Sequence, residues 1–246
     1  MKKLLFIFLS TATLLLTSCA VTEEITFKSD GQLSYKMDLD LTELIKMSPD
    51  AAGEFSEKKD TIISFTDLIN KERAEEGFTE EQEQMLDDLK PLKFKYSPGQ
   101  NGQKSMLSIF GDFKSSTNLN QAFATLAKSG KSKDNDDQDH HGRCLLGDPP
   151  VEDLFKNPIQ YSWDGKVLKI VRAAAAQDDD STDSSDMFGM LSSGSVKVSY
   201  TFPRKVKTVS DPSATFSQDG KSIYFNYSMA EYYNTSKAKE LTIEIE

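Results

Sequence analysis

The sequence predicts an α+β protein: a curved antiparallel sheet built from hairpins and covered by a few helices. Three observations lead there. From Leu33 to Leu41 apolar residues alternate strictly with polar ones, the period of a half-buried strand. Asp-Gly pairs at 30–31, 164–165 and 219–220 sit between strand-like runs, where a tight hairpin needs positive φ. Between these hairpins lie stretches with the three-to-four-residue apolar spacing of amphipathic helices. Hairpins interrupted by helices are the α+β pattern, not the regular alternation of a parallel α/β sheet.

Taken in order, Ile25 and Phe27 supply a short first strand, and "LSYKMDLDL" supplies the second after Asp30-Gly31. "LTELIKM" predicts a short helix ending before Pro49. "TIISFTDLINKERAEEGF" places Ile62, Phe65, Leu68 and Ile69 on one helical face. "TEEQEQMLDDLKP" opens with Thr79 and has Gln82 three residues on, a capping-box pattern, and Pro91 stops it. Strand alternation returns at Leu92, Phe94 and Tyr96, and the more continuous "KSMLSIFGDF" predicts a central strand. "STNLNQAFATLAKSG" then gathers Leu119, Ala122, Phe123 and Leu126 on one helical face, with Gly130 where a helix ends.

Residues 131–150 and 173–186 are acidic or polar and aperiodic, and are expected as flexible insertions. "IQYSWDGKVLKIVR" predicts a hairpin between them. The apolar island "MFGML" (187–191) follows as a docking helix or flap. Beyond it "SVKVSYTFP", "VKTV", "ATFSQ", "KSIYFNYS" and "ELTIEIE" carry strand signals, with "MAEYYN" a helical turn. Residues 25–246 are expected to form one continuous domain, a split near 131–150 being the alternative.

The N-terminus has a different character. Lys2 and Lys3 precede an apolar stretch of 13 residues, Leu4–Leu16, too short for the ~20 residues of a membrane span. Leu16, Thr17 and Ser18 lead directly into Cys19. This arrangement resembles the lipobox of bacterial lipoproteins. The resemblance implies that residues 1–18 are a signal peptide, that the Cys19 thiol is diacylated, and that cleavage leaves Cys19 as the acylated first residue. Two or three acyl chains, at about 0.8 kcal/mol per buried CH₂, anchor a protein firmly where one chain does not. Residues 19–24, "CAVTEE", are then a lipidated tether, and the Ala after Cys19 implies outer-membrane placement. Glu23 and Glu24 resemble an acidic surface-export signal of Bacteroidetes-type lipoproteins, or are simply a solvated spacer.

The mature chain has 228 residues, and its charge moves from −10 to −12 because Lys2 and Lys3 leave with the signal. With no basic patch interleaved with aromatics, nucleic acid is an unfavourable partner. Only two cysteines occur, and with Cys19 acylated Cys144 has no partner in the chain. "ITF", "DGQ" and "LSYKMDLDL", following Cys19, together resemble the start of LppM-like envelope lipoproteins. That resemblance implies an α+β envelope domain that handles lipid or glycolipid.

The chemical candidates cluster in "DQDHHGRCLLGD". Asp137, Asp139 and His141 occupy positions one, three and five of an EF-hand frame, Gly142 position six and Asp148 position twelve. Histidine at five offers nitrogen to calcium, and the aspartate at twelve is shorter than the usual glutamate, so a plain acidic loop competes. His140, His141 and Cys144 suit a soft metal such as zinc or copper, although no fourth ligand is evident. No G-x-S-x-G, P-loop or dinucleotide fingerprint occurs. Trp163 with Tyr161 lines a ligand groove or packs in the core. "DTI" (60–62) and "DST" (180–182) resemble a three-residue O-glycosylation sequon.

The sequence therefore leads to a non-enzymatic, membrane-anchored envelope lipoprotein that binds a protein partner or an amphiphilic ligand, with no cofactor beyond the covalent lipid and calcium as an outside candidate. The alternatives are an assembly subunit of an outer-membrane complex and a metal-dependent enzyme built on residues 137–148.

Overall fold

The computed structural model describes residues 19–47, 60–67, 87–99, 103–129, 155, 159–174, 194–233 and 238–246. Its strands form two sheets. The larger has eight strands in the order β10-β11-β8-β1-β2-β5-β4-β3, and the smaller has four in the order β6-β7-β12-β9. In chain order these are β1 (Cys19–Phe27), β2 (Leu33–Asp40), β3 (Ile62–Ser64), β4 (Leu92–Ser97), β5 (Met106–Phe113), β6 (Gln160–Trp163), β7 (Val167–Arg172), β8 (Ser195–Thr201), β9 (Val206–Val209), β10 (Thr215–Phe216), β11 (Ser222–Ser228) and β12 (Lys239–Ile245). The helices discussed below are α1 (Thr42–Met47), α2 (Ser116–Ser129) and α3 (Met229–Tyr233).

The α+β class stands, but a single antiparallel sheet does not. There are two sheets, and in the larger one β1 pairs parallel to β8 through Cys19–Ser195 and Val21–Val196 to Thr26–Thr201. A hairpin cannot join parallel neighbours, so the whole chain between β1 and β8 acts as the crossover. Among the described residues every other strand pair is antiparallel.

Alternation decides which face is buried. Leu33, Tyr35, Met37 and Leu39 of β2, and Val196, Val198 and Tyr200 of β8, are buried while their neighbours are not. The same holds for Leu92, Phe94 and Tyr96 of β4 and for Ile223 and Phe225 of β11. One face of the larger sheet thus packs into the core, sharing it with Leu168 and Ile170 of β7 and Leu241, Ile243 and Ile245 of β12.

Helix α2 begins at an N-cap, where the Ser115 hydroxyl accepts from the Asn118 N–H at 3.3 Å. Its Leu119, Ala122, Phe123 and Leu126 are buried, and Phe123 meets Tyr35 edge-on at 4.9 Å. The helix also closes the free edge of β6. The Asn120 amide donates to the Tyr161 carbonyl and accepts from the Tyr161 N–H, both at 2.9 Å, while Ser116 Oγ accepts from the Trp163 N–H. A side-chain amide here takes the place of a neighbouring strand and blunts an edge that would otherwise template pairing.

Two predicted elements differ. Ile62–Ser64, expected as the start of a helix, is edge strand β3 paired with β4, and helix begins only at Phe65. Ile62 is 58% exposed and so never needed the helical face assigned to it. Residues 19–24, expected as a spacer, are already strand: β1 starts at Cys19, and Val21 and Glu23 are buried.

The three Asp-Gly turns converge on the end of the larger sheet opposite Cys19. Gly31, Gly165 and Gly220 adopt positive φ (87°, 91° and 71°). Trp163 Nε1 donates to the Lys28 carbonyl, Arg204 Nη2 to the Gly165 carbonyl, and the Val206 N–H to the Gly220 carbonyl. Each turn aspartate also accepts its own backbone; Asp164 accepts from the Val167 and Lys166 N–H groups, which hold its carboxyl below the usual range.

Candidate functional site

Between the sheets lies a cluster of ionisable and hydroxyl groups in surroundings that elsewhere are hydrocarbon. Its centre is Glu23, placed on the buried face of β1 by the same alternation that buries Val21, Ile25 and Phe27. Glu23 is 3% exposed. Tyr161 of β6 donates to its Oε1 at 2.7 Å, and Tyr232 of α3 donates to its Oε2 at 2.6 Å. One carboxylate therefore joins the larger sheet, the smaller sheet and α3.

Arg172, the last residue of β7, is 6% exposed. Its guanidinium lies over the ring of Tyr227 at 4.8 Å and of Tyr232 at 4.5 Å, a cation–π clamp from β11 and α3. Tyr200 of β8 is fully buried nearby, and Tyr233 of α3 donates to Met37 Sδ at 3.8 Å.

The electrostatics follow from burial. Loss of water raises the Glu23 carboxyl above its ordinary value, while the Tyr232 and Tyr161 hydroxyls and the charge of Arg172 oppose that rise. Burial also pushes the hydroxyls of Tyr35, Tyr161, Tyr200, Tyr232 and Tyr233 far upward, so all stay protonated, and those of Tyr161, Tyr232 and Tyr233 act as donors. Not every polar atom is served. Among the described residues, Arg172 Nε and Nη2 and the Tyr200 hydroxyl are buried without a hydrogen-bond partner.

The rest of this interior is aromatic. Phe27 stacks on Phe202 at 5.4 Å and meets Trp163 at 5.1 Å, with Trp163 and Phe202 at 5.7 Å. Trp163, a candidate groove residue, thus packs in the aromatic cluster, while Tyr161 two residues earlier bonds Glu23.

The sequence-derived metal ligands Asp137, Asp139, His141 and Asp148, and the soft-metal set His140, His141 and Cys144, lie outside the described residues, as do "MFGML" and the 180–182 sequon. Within the 60–62 sequon, Thr61 is exposed immediately before edge strand β3. The backbone of Cys19 opens β1 opposite Ser195. The buried cluster itself was not anticipated from sequence, although its signal was present: Glu23 and Arg172 both fall on the apolar phase of their strands.

No family model matches the chain, and no curated protein matches it. Among solved structures, it is similar to the NMR structure of the folded domain of the Mycobacterium tuberculosis protein LppM, with 9% identity and a TM-score of 0.40 over 95% of this chain and 93% of that one. A likeness of that degree transfers no function.

Proposed function

We propose that this chain is a lipid-anchored protein of the cell envelope, held at the outer membrane through Cys19, whose two-sheet body is a non-catalytic binding module for a partner or an amphiphilic ligand. One observation carries the anchor: a charged n-region, a 13-residue apolar stretch and Leu16-Thr17-Ser18-Cys19 fall in register. An acyl group at Cys19 would sit on the first residue of β1, with almost no spacer between bilayer and fold. On this reading the end with the three Asp-Gly turns points away from the membrane, about 30 Å out at ~3.3 Å per strand residue. The binding role is supported by the cluster between the sheets, which holds charge and unused donors in the core. Cys19→Ala tests the anchor. The variant is expected in the soluble fraction without incorporated palmitate analogue. A variant that still pellets with membranes and takes the label would overturn the reading.

A further inference from the structure

Three buried donor atoms have no acceptor among the described residues: Arg172 Nε, Arg172 Nη2 and the Tyr200 hydroxyl. Nε and Nη2 make up a single edge of the guanidinium, the edge that binds two oxygens of one carboxylate or phosphate side by side. The Tyr200 hydroxyl lies beside the same guanidinium, close enough for Arg172 to lower its pKa against burial by charge and by hydrogen-bond proximity, yet neither Nε nor Nη2 meets it in hydrogen-bond geometry. The Tyr227 and Tyr232 rings hold that guanidinium in place, which removes most of the entropy cost of ordering it around a ligand. Glu23 does not fill the fork: its oxygens accept from Tyr161 and Tyr232, and neither Nε nor Nη2 of Arg172 has a hydrogen-bond partner among the described residues. An arginine buried only for structure spends its donors on carbonyls or on a carboxylate.

We propose that the Nε/Nη2 edge of Arg172, together with the Tyr200 hydroxyl, is a receptor for one oxyanion, a carboxylate or phosphate group, held between the two sheets. This deepens the binding-module reading and rests on it. The groups facing Glu23 are Tyr161 of β6, Tyr232 and Tyr233 of α3, Tyr35 of β2, Tyr200 of β8 and Arg172 of β7. Arg172 is the one cation in this set. A bound oxyanion adds a second negative charge to it, so binding draws a proton onto Glu23 and strengthens as pH falls.

The oxyanion is either free in solution or the headgroup of an amphiphile, and the test separates the two. The full chain, purified in a maltoside detergent, is titrated with sodium phosphate and with sodium acetate against sodium chloride at matched ionic strength. Parallel titrations use phosphatidylglycerol and phosphatidylcholine vesicles. Saturable stabilisation by phosphate or acetate identifies a free oxyanion. Saturable binding to phosphatidylglycerol vesicles alone identifies a headgroup. Arg172→Lys keeps the charge and loses the fork, and is expected to bind at least tenfold more weakly. Tyr200→Phe removes only an unpartnered hydroxyl, so it is expected to fold as wild type and to bind about fivefold more weakly, the worth of one hydrogen bond. If Arg172→Lys does not fold, Tyr200→Phe carries the test alone. Absence of any response beyond chloride and phosphatidylcholine, or wild-type affinity in Tyr200→Phe, overturns the proposal. The anchor is judged separately by Cys19→Ala fractionation, so either reading fails without the other.

Discussion

The interior between the two sheets has two halves built on the same strands. Phe27 and Glu23 both lie on β1, four residues apart and on the same face, yet one stacks on Phe202 and Trp163 and the other holds two tyrosine hydroxyls beside a buried arginine. Tyr200 of the neighbouring β8 and Phe202 just beyond its end repeat the contrast. The aromatic half gives cohesion through apolar burial. The polar half withdraws a carboxylate and a guanidinium from water, and pairing in such a place seldom returns more than it costs. A fold seeking only stability would continue the aromatic half across. The polar half is therefore where a function is to be sought.

The comparison breaks most readily at Phe27. Phe27→Ala empties a fully packed aromatic contact and is expected to lower unfolding free energy by about 3–5 kcal/mol in urea titrations. A loss below about 1.5 kcal/mol would mean that the aromatic half is not the cohesive one. Arg172→Met is expected to cost about 3 kcal/mol at neutral pH, because it leaves the Glu23 charge uncompensated. Adding Glu23→Gln to Arg172→Met should recover part of that loss, whereas additive losses would mean that the two groups do not interact.

A pH series sharpens the contrast further. The Glu23 carboxyl titrates higher in the folded chain than its ordinary 4.5, chiefly through burial. The unfolded chain therefore loses its proton first as pH rises, and stability falls between 4.5 and the raised folded value. Below that window both states hold the proton and the term vanishes. Stability of wild type relative to Glu23→Gln should thus decline across that window and then level off. A difference that rises with pH would reverse the assignment. Tyr161→Phe, which removes a hydroxyl bonded to Glu23 at 2.7 Å, is expected to cost about 1–2 kcal/mol.

Much of the fold was legible because a strand with one wet face writes its period into the sequence. Leu33 to Leu39, Leu92 to Tyr96 and Val196 to Tyr200 are buried as their alternation predicted, and the Asp-Gly turns fall between paired strands. Helix α2 presents the four residues its spacing selected. What alternation cannot encode is which distant strand lies alongside. The parallel pairing of β1 with β8, and the separation of β6, β7, β9 and β12 into a second sheet, depend on contacts far apart in sequence. Ile62–Ser64 is too short for its period to separate helix from strand. The buried cluster was written in phase but not in residue type. Glu23 and Arg172 occupy apolar positions of "VTEEITF" and "VLKIVR", and reading charge before phase assigned Glu23 to a solvated tether.

The claim that the polar half is an open receptor and not a closed structural network rests most directly on Tyr200→Phe, measured by equilibrium urea denaturation with and without phosphate. The account predicts stability within about 0.5 kcal/mol of wild type when phosphate is absent, since the hydroxyl removed has no partner, and loss of most of the phosphate-dependent shift in midpoint. A loss of more than about 1.5 kcal/mol without phosphate would show that the hydroxyl is already satisfied inside the protein, and would contradict the account.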